Sequence, residues 1–352
     1  MGKVAALKLI DFYILIFTLL IAGITILGVF APFFDPRDHS IIPYIGLLLP
    51  LLLVINIING IYLILTKRLG PSCLTIATLV IGFFGAGYKI DNIHRQTDNI
   101  EEFRNIRVMT FNIGENNSGA DDFNNLEQIS QFVKDEKIDI LCIQEYPTNE
   151  ETENSLIKRL DFMPFHTFTQ NENEYLRVAI FSQFPIHNVK HFLFENSNNS
   201  AISARLSIDD KIIQLICAHL QTTNFNQKQS GSLYTISNII CHAINKMSEN
   251  RKRRAAQADL IKQEIKSCSY PLIFCGDMND TPTSYAYKQI SEELKDGFYE
   301  CGNGIGYTYR GLLRLLRIDY ILYSKEFTGT KYKSPDKPFS DHNPIIMNLT
   351  LH

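Results

Sequence analysis

Residues 271–280, PLIFCGDMND, hold the first side chains with the types and spacing for chemistry. The apolar run Leu272-Ile273-Phe274-Cys275 stops abruptly at Gly276, Asp277, Met278 and Asn279. Apolar residues without polar alternation read as a strand buried on both faces. Gly276 permits a tight turn, so Asp277 and Asn279 emerge at the strand's C-terminal edge. A carboxylate and an amide two residues apart suit phosphate or metal chemistry, although Asp and Asn are also ordinary turn residues. The signature recurs along the chain. The run 108–111 leads into Asn112, 140–143 into Gln144 and Glu145, 216–218 into His219, and Ile318 into Asp319, while a late loop reads Ser340-Asp341-His342-Asn343-Pro344. One polar residue after an apolar strand means little, but repeated ends offering an acid, an amide or a histidine are hard to explain as turns.

These ends require strands to position them. Strand patterns cover residues 107–112, 138–143, 178–181, 201–208, 211–219, 318–323 and 344–351, besides the run at Leu272. Helical patterns cover 126–136 and 233–266. Many strands with few long helices between them predict a layered α/β sheet fold with helices outside.

Taken in order, RVMTFNIG, DILCIQEY, FSQFPI, ICAHLQT, IFCGDMND, RIDYIL and SDHNPI resemble the motifs of the endonuclease/exonuclease/phosphatase superfamily, the deoxyribonuclease-like metal-dependent phosphoesterases. The resemblance covers residues 106–351. It implies a four-layered α/β sandwich, two mixed β-sheets flanked by helices, and a divalent-metal hydrolase of phosphate esters using Mg²⁺ or Mn²⁺. Such hydrolysis requires an in-line water, a stabiliser of developing negative charge and assistance to the leaving oxygen. Glu145, a hard carboxylate at a buried strand end, suits an octahedral metal. Asn112 adds an amide oxygen to the metal shell or bonds the phosphate. By resemblance, Asp277 orients the water with general-base character, Asn279 donates to a phosphoryl oxygen, and His219 contacts the same phosphate. Asp319 and His342 form an acid–imidazole pair, and Asp341 is a further metal or water ligand. The division of work between Asp277 and His342, and the choice between one metal and two, stay open.

Other residues divide between function and structure. Arg177 and Tyr175 flank FSQFPI, and Tyr309 precedes RIDYIL; Arg177 and Tyr309 are candidate substrate contacts. The run Arg251-Lys252-Arg253-Arg254 attracts a nucleic-acid reading, but apolar residues follow it and a solvated helix face is the expected role. The preceding insertion, 220–250, packs on the domain or serves as a membrane-facing or gating helix. The seven cysteines include no CxxC pair and read as free thiols.

Ahead of the sheet pattern, three apolar runs, 9–34, 41–65 and 73–88, approach or exceed the length needed to cross a bilayer. They predict a membrane anchor of about three transmembrane helices over 1–90, a linker at 91–105 and a catalytic domain at 106–352. Lys3, Lys8, Lys67 and Arg68 favour a cytoplasmic N-terminus, which places the catalytic domain outside the cytoplasm, on the periplasmic side. A net charge of −3 implies no large nucleic-acid surface, while leaving room for a local basic groove. The expectation is a membrane-anchored phosphodiesterase of nuclease type, whose alternatives are a phospholipid-directed enzyme of sphingomyelinase or inositol-phosphatase kind and a silent binding domain. Its partners are a phosphate-ester substrate (nucleic acid or phospholipid) and the lipid bilayer.

Overall fold

A computed structural model describes residues 2–86, 104–114, 122–147, 149–169, 176–222, 236–311 and 314–352. The chain divides into two compact units, residues 1–88 with 282–288, and residues 89–281 with 289–352. Nearly all of the expected linker, together with Tyr175 and residues 223–235 of the 220–250 insertion, lies outside the described residues.

The first unit contains α1 (Gly2–Val29), α2 (Ile42–Leu47), α3 (Leu49–Leu65) and α4 (Leu69–Gly85). The expectation of about three crossings requires correction. Among the described residues, only Ala6–Val29, at 24 residues, is long and apolar enough to cross a membrane; α3 and α4 stop at 17 residues each. Pro43 and Pro50 account for the split in the second run, since each occupies the first turn of a separate helix, α2 or α3. The unit reverses the usual distribution of polarity. Inside it, Asn56 Nδ2 donates to Thr25 Oγ1 (2.8 Å), and Asn59 Nδ2 donates to Thr18 Oγ1 (3.2 Å) and Thr75 Oγ1 (3.4 Å). Outside, Leu20, Ile58, Ile64 and Phe84 are exposed.

The second unit holds twelve strands among its described residues. They are β1 (Arg104–Asn112), β2 (Ile140–Tyr146), β3 (Phe165–Phe168), β4 (Arg177–Ser182), β5 (Ile186–Leu193), β6 (Ser200–Ile208), β7 (Lys211–His219), β8 (Leu272–Asp277), β9 (Lys295–Asp296), β10 (Asp319–Tyr323), β11 (Phe327–Lys333) and β12 (Ile345–Leu351). One sheet runs β11-β12-β1-β2-β4-β3 and the other β5-β6-β7-β8-β10-β9. A parallel pair lies at the centre of each, β1 with β2 and β7 with β8, and the strands flanking these pairs are antiparallel. Alternation sorts the side chains between two faces. Val108, Ile140, Cys142 and Ile180 of the first sheet share one buried cluster with Ile202, Leu215, Cys217 and Cys275 of the second. On the other face, Met109, Phe111, Leu141 and Ile143 meet Leu126, Ile129 and Val133 of α5 (Asp122–Asp135) and Leu156 of α6 (Glu150–Arg159).

Helix α7 (Ile236–Ser267) covers the second sheet, burying Ala255, Ala258, Ile261 and Ile265. Glu264 on this helix accepts a 2.8 Å hydrogen bond from Ser203 of β6. Two mixed sheets flanked by helices are therefore present, as expected. Gly276 sets how closely β8 approaches β7, because a Cβ added there would stand 2.0 Å from the carbonyl oxygen of Ala218. Gly276→Ala is expected to destabilise the protein by about 1–3 kcal/mol through this clash, read as a lower thermal midpoint by circular dichroism.

Candidate active site

Strand registry assembles the site. On β7, β8 and β10, His219 is the register partner of Asp277, which is in turn the partner of Asp319. Three neighbouring strands thus contribute one row of polar ends. The opposite sheet supplies Asn112, paired in register with Gln144 at the end of the β1/β2 pair. Glu145 follows at an irregularity between β2 and β4 and has a left-handed φ of 55°. A bulge of this kind re-aims a side chain that strict alternation would point elsewhere.

At the site, one amide bonds carboxylates of both sheets. Asn112 Nδ2 donates to Glu145 Oε1 (3.2 Å) and to Asp277 Oδ2 (3.0 Å), while its Oδ1 accepts from the Gly114 N–H (3.0 Å). His342 Nδ1 lies 2.9 Å from Asp319 Oδ2, and its Nε2 lies 3.9 Å from Asp277 Oδ2. His219, fully buried, places Nε2 3.5 Å from Asp277 Oδ2 and 3.3 Å from Thr222 Oγ1. Asn279 has φ 51°; its N–H donates to Asp277 Oδ1 (2.7 Å), and its side-chain amide donates to the carbonyl of Leu220 (3.0 Å).

Burial and charge divide the protonation states. Burial pushes the Asp277 carboxyl up and neighbouring Asp319 pushes it further, against the pull of His342. Burial opposes charge on His342, but Asp319 and Asp277 outweigh it and hold its pKa at about 10. Burial drives His219 down, so it is neutral near pH 7.

These residues fit a divalent cation. The carboxyl groups of Glu145, Asp277 and Asp319 gather around one imidazolium in a largely buried place, so acids outnumber the cation there. Asp319 Oδ1 is buried without a hydrogen-bond partner among the described residues, the state of a carboxylate oxygen open to a cation. Among the described residues, Asp277, Asp319 and His342 bring one ligand atom each within 4.8 Å of one another. This trio differs from the expected set of Glu145, Asn112 and Asp341. Within the trio the imidazole is bonded to Asp319 through Nδ1, which leaves Nε2 toward Asp277.

The remaining candidates fall in different places. Asp341 is exposed at the rim, with Oδ1 3.7 Å from where a Cβ on Gly114 would lie. The Tyr309 ring stands 5.2 Å from that of His342, so it lies at the site. Arg177 has a structural assignment instead of the expected substrate contact: Nε donates to the Thr169 carbonyl (2.8 Å), Nη1 to that of Pro147 (2.8 Å), and the guanidinium pairs with Glu153 and covers the Phe168 ring.

Two residues hold positioning roles that the sequence reading did not give them. Thr308 Oγ1 accepts from the N–H groups of Ile318 (3.0 Å) and Asp319 (3.1 Å), fixing the start of β10. Arg254, expected on a solvated face, is buried. Its Nη1 donates to the carbonyls of Gln221 (3.1 Å) and Asn279, and its Nε lies 3.4 Å from Asp280 Oδ2. It therefore joins the loops that follow β7 and β8. Its helical spacing from Ala258 and Ile261 was the signal that it belongs to the inner face.

Residues 109–342 match the Endonuclease/Exonuclease/phosphatase family. The chain belongs to this family. As an endonuclease/exonuclease/phosphatase protein it is a phosphoric ester hydrolase. Residues 9–87 match a second family, described as a domain of unknown function. Among solved structures, the chain is similar to the endonuclease/exonuclease/phosphatase from Bacteroides vulgatus, with TM-score 0.54 and 20% identity over 71% of this chain and 100% of that one. The family protein from Bacteroides thetaiotaomicron gives 0.54 and 16% over 71% and 99%. D. rerio TDP2 complexed with single strand DNA product gives 0.50 and 14% over 70% and 98%. At these identities the likeness establishes the fold. No curated protein matches the chain.

The His342 shift carries a sign. Its folded pKa is raised, so its contribution to stability is full below the ordinary value of 6.5 and is lost as pH rises towards about 10. In EDTA, the thermal midpoint is expected to fall across that window, and His342→Gln is expected to flatten the fall. A midpoint with the same pH slope in both proteins would remove the charged imidazole.

Proposed function

We propose that this protein hydrolyses phosphodiester bonds in a divalent-metal-dependent reaction, with water attacking phosphorus in line with the leaving oxygen. The observation that carries the reading is the excess of buried carboxylate around one charged imidazole, with the Asn112 amide tying two of the carboxylates together. Glu145 is the residue proposed to hold the cation, with Asp341 at the rim and the free oxygen of Asp319 available to it. Asn112 Nδ2 fills the tying role, and its Oδ1, which accepts from the Gly114 N–H, keeps a second lone pair for the cation. When bound, Mg²⁺ or Mn²⁺ supplies charge neutralisation at the phosphate and lowers the pKa of water.

The chain's own groups do the rest. Asp277, with its pKa raised, is a carboxylate basic enough to take the proton of the attacking water. Asn112 and the Asn279 N–H hold its two oxygens in place. His342, kept charged by Asp319, faces the negative charge that develops on phosphorus. Neutral His219 offers an N–H beside Asp277. Tyr309, packed on His342, is proposed to touch the substrate at the mouth.

The N-terminal unit is proposed to be a membrane anchor that α1 crosses. Its apolar exterior over a hydrogen-bonded Asn and Thr interior supports this, because lipid rewards that arrangement and water does not. Lys3 and Lys8 in the first turns of α1 support a cytoplasmic N-terminus, which puts the catalytic unit on the other side. Two substrate readings have an observation each. The TDP2 structure holding a DNA strand supports a nuclease-type substrate, and the apolar exterior of the anchor supports a phospholipid.

The full chain purified in detergent should cleave bis(4-nitrophenyl) phosphate with Mg²⁺, and EDTA should abolish cleavage. Asp277→Asn should lower kcat by roughly 10²–10⁴-fold with little change in thermal midpoint. Metal binding without hydrolysis of nucleotide, lipid or generic esters would leave a binding domain. For orientation, alkaline phosphatase fused after His352 should be active in cells; fluorescence of a cytoplasm-restricted reporter at the same position would reverse the assignment.

A further inference from the structure

Residues 282–288 follow the loop that carries Asn279, yet they belong to the first compact unit together with residues 1–88. Inside that unit Thr283 Oγ1 donates to the carbonyl of Gly46 in α2 (2.9 Å), and both residues are buried. A Cβ added to Gly46 would stand 2.7 Å from the Thr283 carbonyl oxygen and 2.7 Å from Ala31 Cβ, so only glycine lets the two backbones come this close. Two further contacts repeat the attachment. Arg37 Nη2 donates to the Tyr285 hydroxyl (3.3 Å), and Lys288 Nζ lies 4.7 Å from the centre of the Phe33 ring.

The loop just upstream holds a conformation that needs support. Asn279 donates to Asp277 from its N–H (2.7 Å) and from its side-chain amide (3.3 Å), and it does so with φ at 51°. Outside glycine that backbone region is sparsely populated, and it persists where the surroundings over-determine it. On one side the ladder between β8 and β10 fixes Asp277. On the other, the Tyr320 hydroxyl donates to the Asp280 carbonyl (2.9 Å). Only Thr281 and Pro282 then separate Asp280 from Thr283. Pro282 fixes its own φ and narrows the choices of Thr281, so a displacement of Thr283 passes back along the loop instead of being absorbed.

We propose that Gly46 and Thr283 are positioning residues for hydrolysis: the N-terminal unit holds the downstream end of the loop that presents Asn279 to Asp277, and so takes part in turnover as well as in anchoring. This rests on the hydrolase reading and adds to it a residue pair far from the reacting atoms. A contact that served attachment alone would leave turnover of a soluble ester untouched, because bis(4-nitrophenyl) phosphate needs no bilayer to reach the site. A misplaced catalytic group, in contrast, costs rate even where binding is kept.

Kinetics and hydrogen exchange on the full chain in detergent test this. With the soluble diester, Gly46→Ala is expected to lower kcat by about ten-fold or more while KM stays within about two-fold. Thr283→Val should lower kcat by about three-fold or more, and Thr283→Ser, which keeps the hydroxyl, should stay within about two-fold of wild type. Without substrate, amides 278–281 are expected to exchange roughly five-fold faster in Gly46→Ala and Thr283→Val, with β6 and β7 keeping their wild-type rates. Wild-type kcat in both of those variants would overturn the proposal, as would equal losses in Thr283→Ser and Thr283→Val. If Gly46→Ala does not fold, the two Thr283 variants decide. If the wild-type chain cleaves no ester, the hydrolase reading fails by itself and exchange decides the loop: faster exchange at 278–281 keeps the tether, and unaltered exchange removes it.

Discussion

The constraint on which the site depends is the hydrogen-bonded registry of β7, β8 and β10. Backbone ladders fix adjacent strands about 4.8 Å apart, so Asp277 and Asp319 are held as neighbours whatever their charges prefer. Two buried carboxylates at that spacing repel, and the raised pKa of Asp277 expresses its burial first and this repulsion second. The charged His342 offsets part of the repulsion, and the Asn112 amide, arriving from the other sheet, restrains the Asp277 oxygen from a second direction. The sheets therefore hold an electrostatic arrangement that free side chains would leave. A cation or a phosphorus centre with developing charge finds it already made, without reorganisation at the moment of reaction.

How much of this was legible in the sequence follows from what each residue's position depends on. Eight strands announced themselves as buried apolar runs, and their polar ends marked the site. The four that went unread, β3, β5, β9 and β11, are the outer strands of the two sheets. Edge strands lack the continuous apolar signal because much of their surface meets water: β5, IHNVKHFL, is exposed along most of its length. The direction of Glu145 was also beyond reach, because it follows from a backbone irregularity and a left-handed φ. Arg254 was misread on charge. Clustered cations usually mark a wet face, yet this one closes over the carbonyls of two loops, which a count of charges does not reveal.

The N-terminal runs misled in a different way. Hydropathy integrates along the chain and is blind to where a helix begins, so Pro43 and Pro50 divided a run that read as continuous. What hydropathy also hides is which side of each helix carries Asn and Thr, and that only the packed bundle resolves.

That bundle has an implication for how its sequence can change. On the outward side Leu, Ile, Val and Phe are interchangeable, since one oily contact replaces another. On the inward side Asn56 requires the hydroxyl of Thr25, and Asn59 those of Thr18 and Thr75. Mutational drift is therefore expected to scramble the exterior and spare a handful of amide–hydroxyl couples, so that kinship between such bundles survives in five or six polar letters after overall identity has faded.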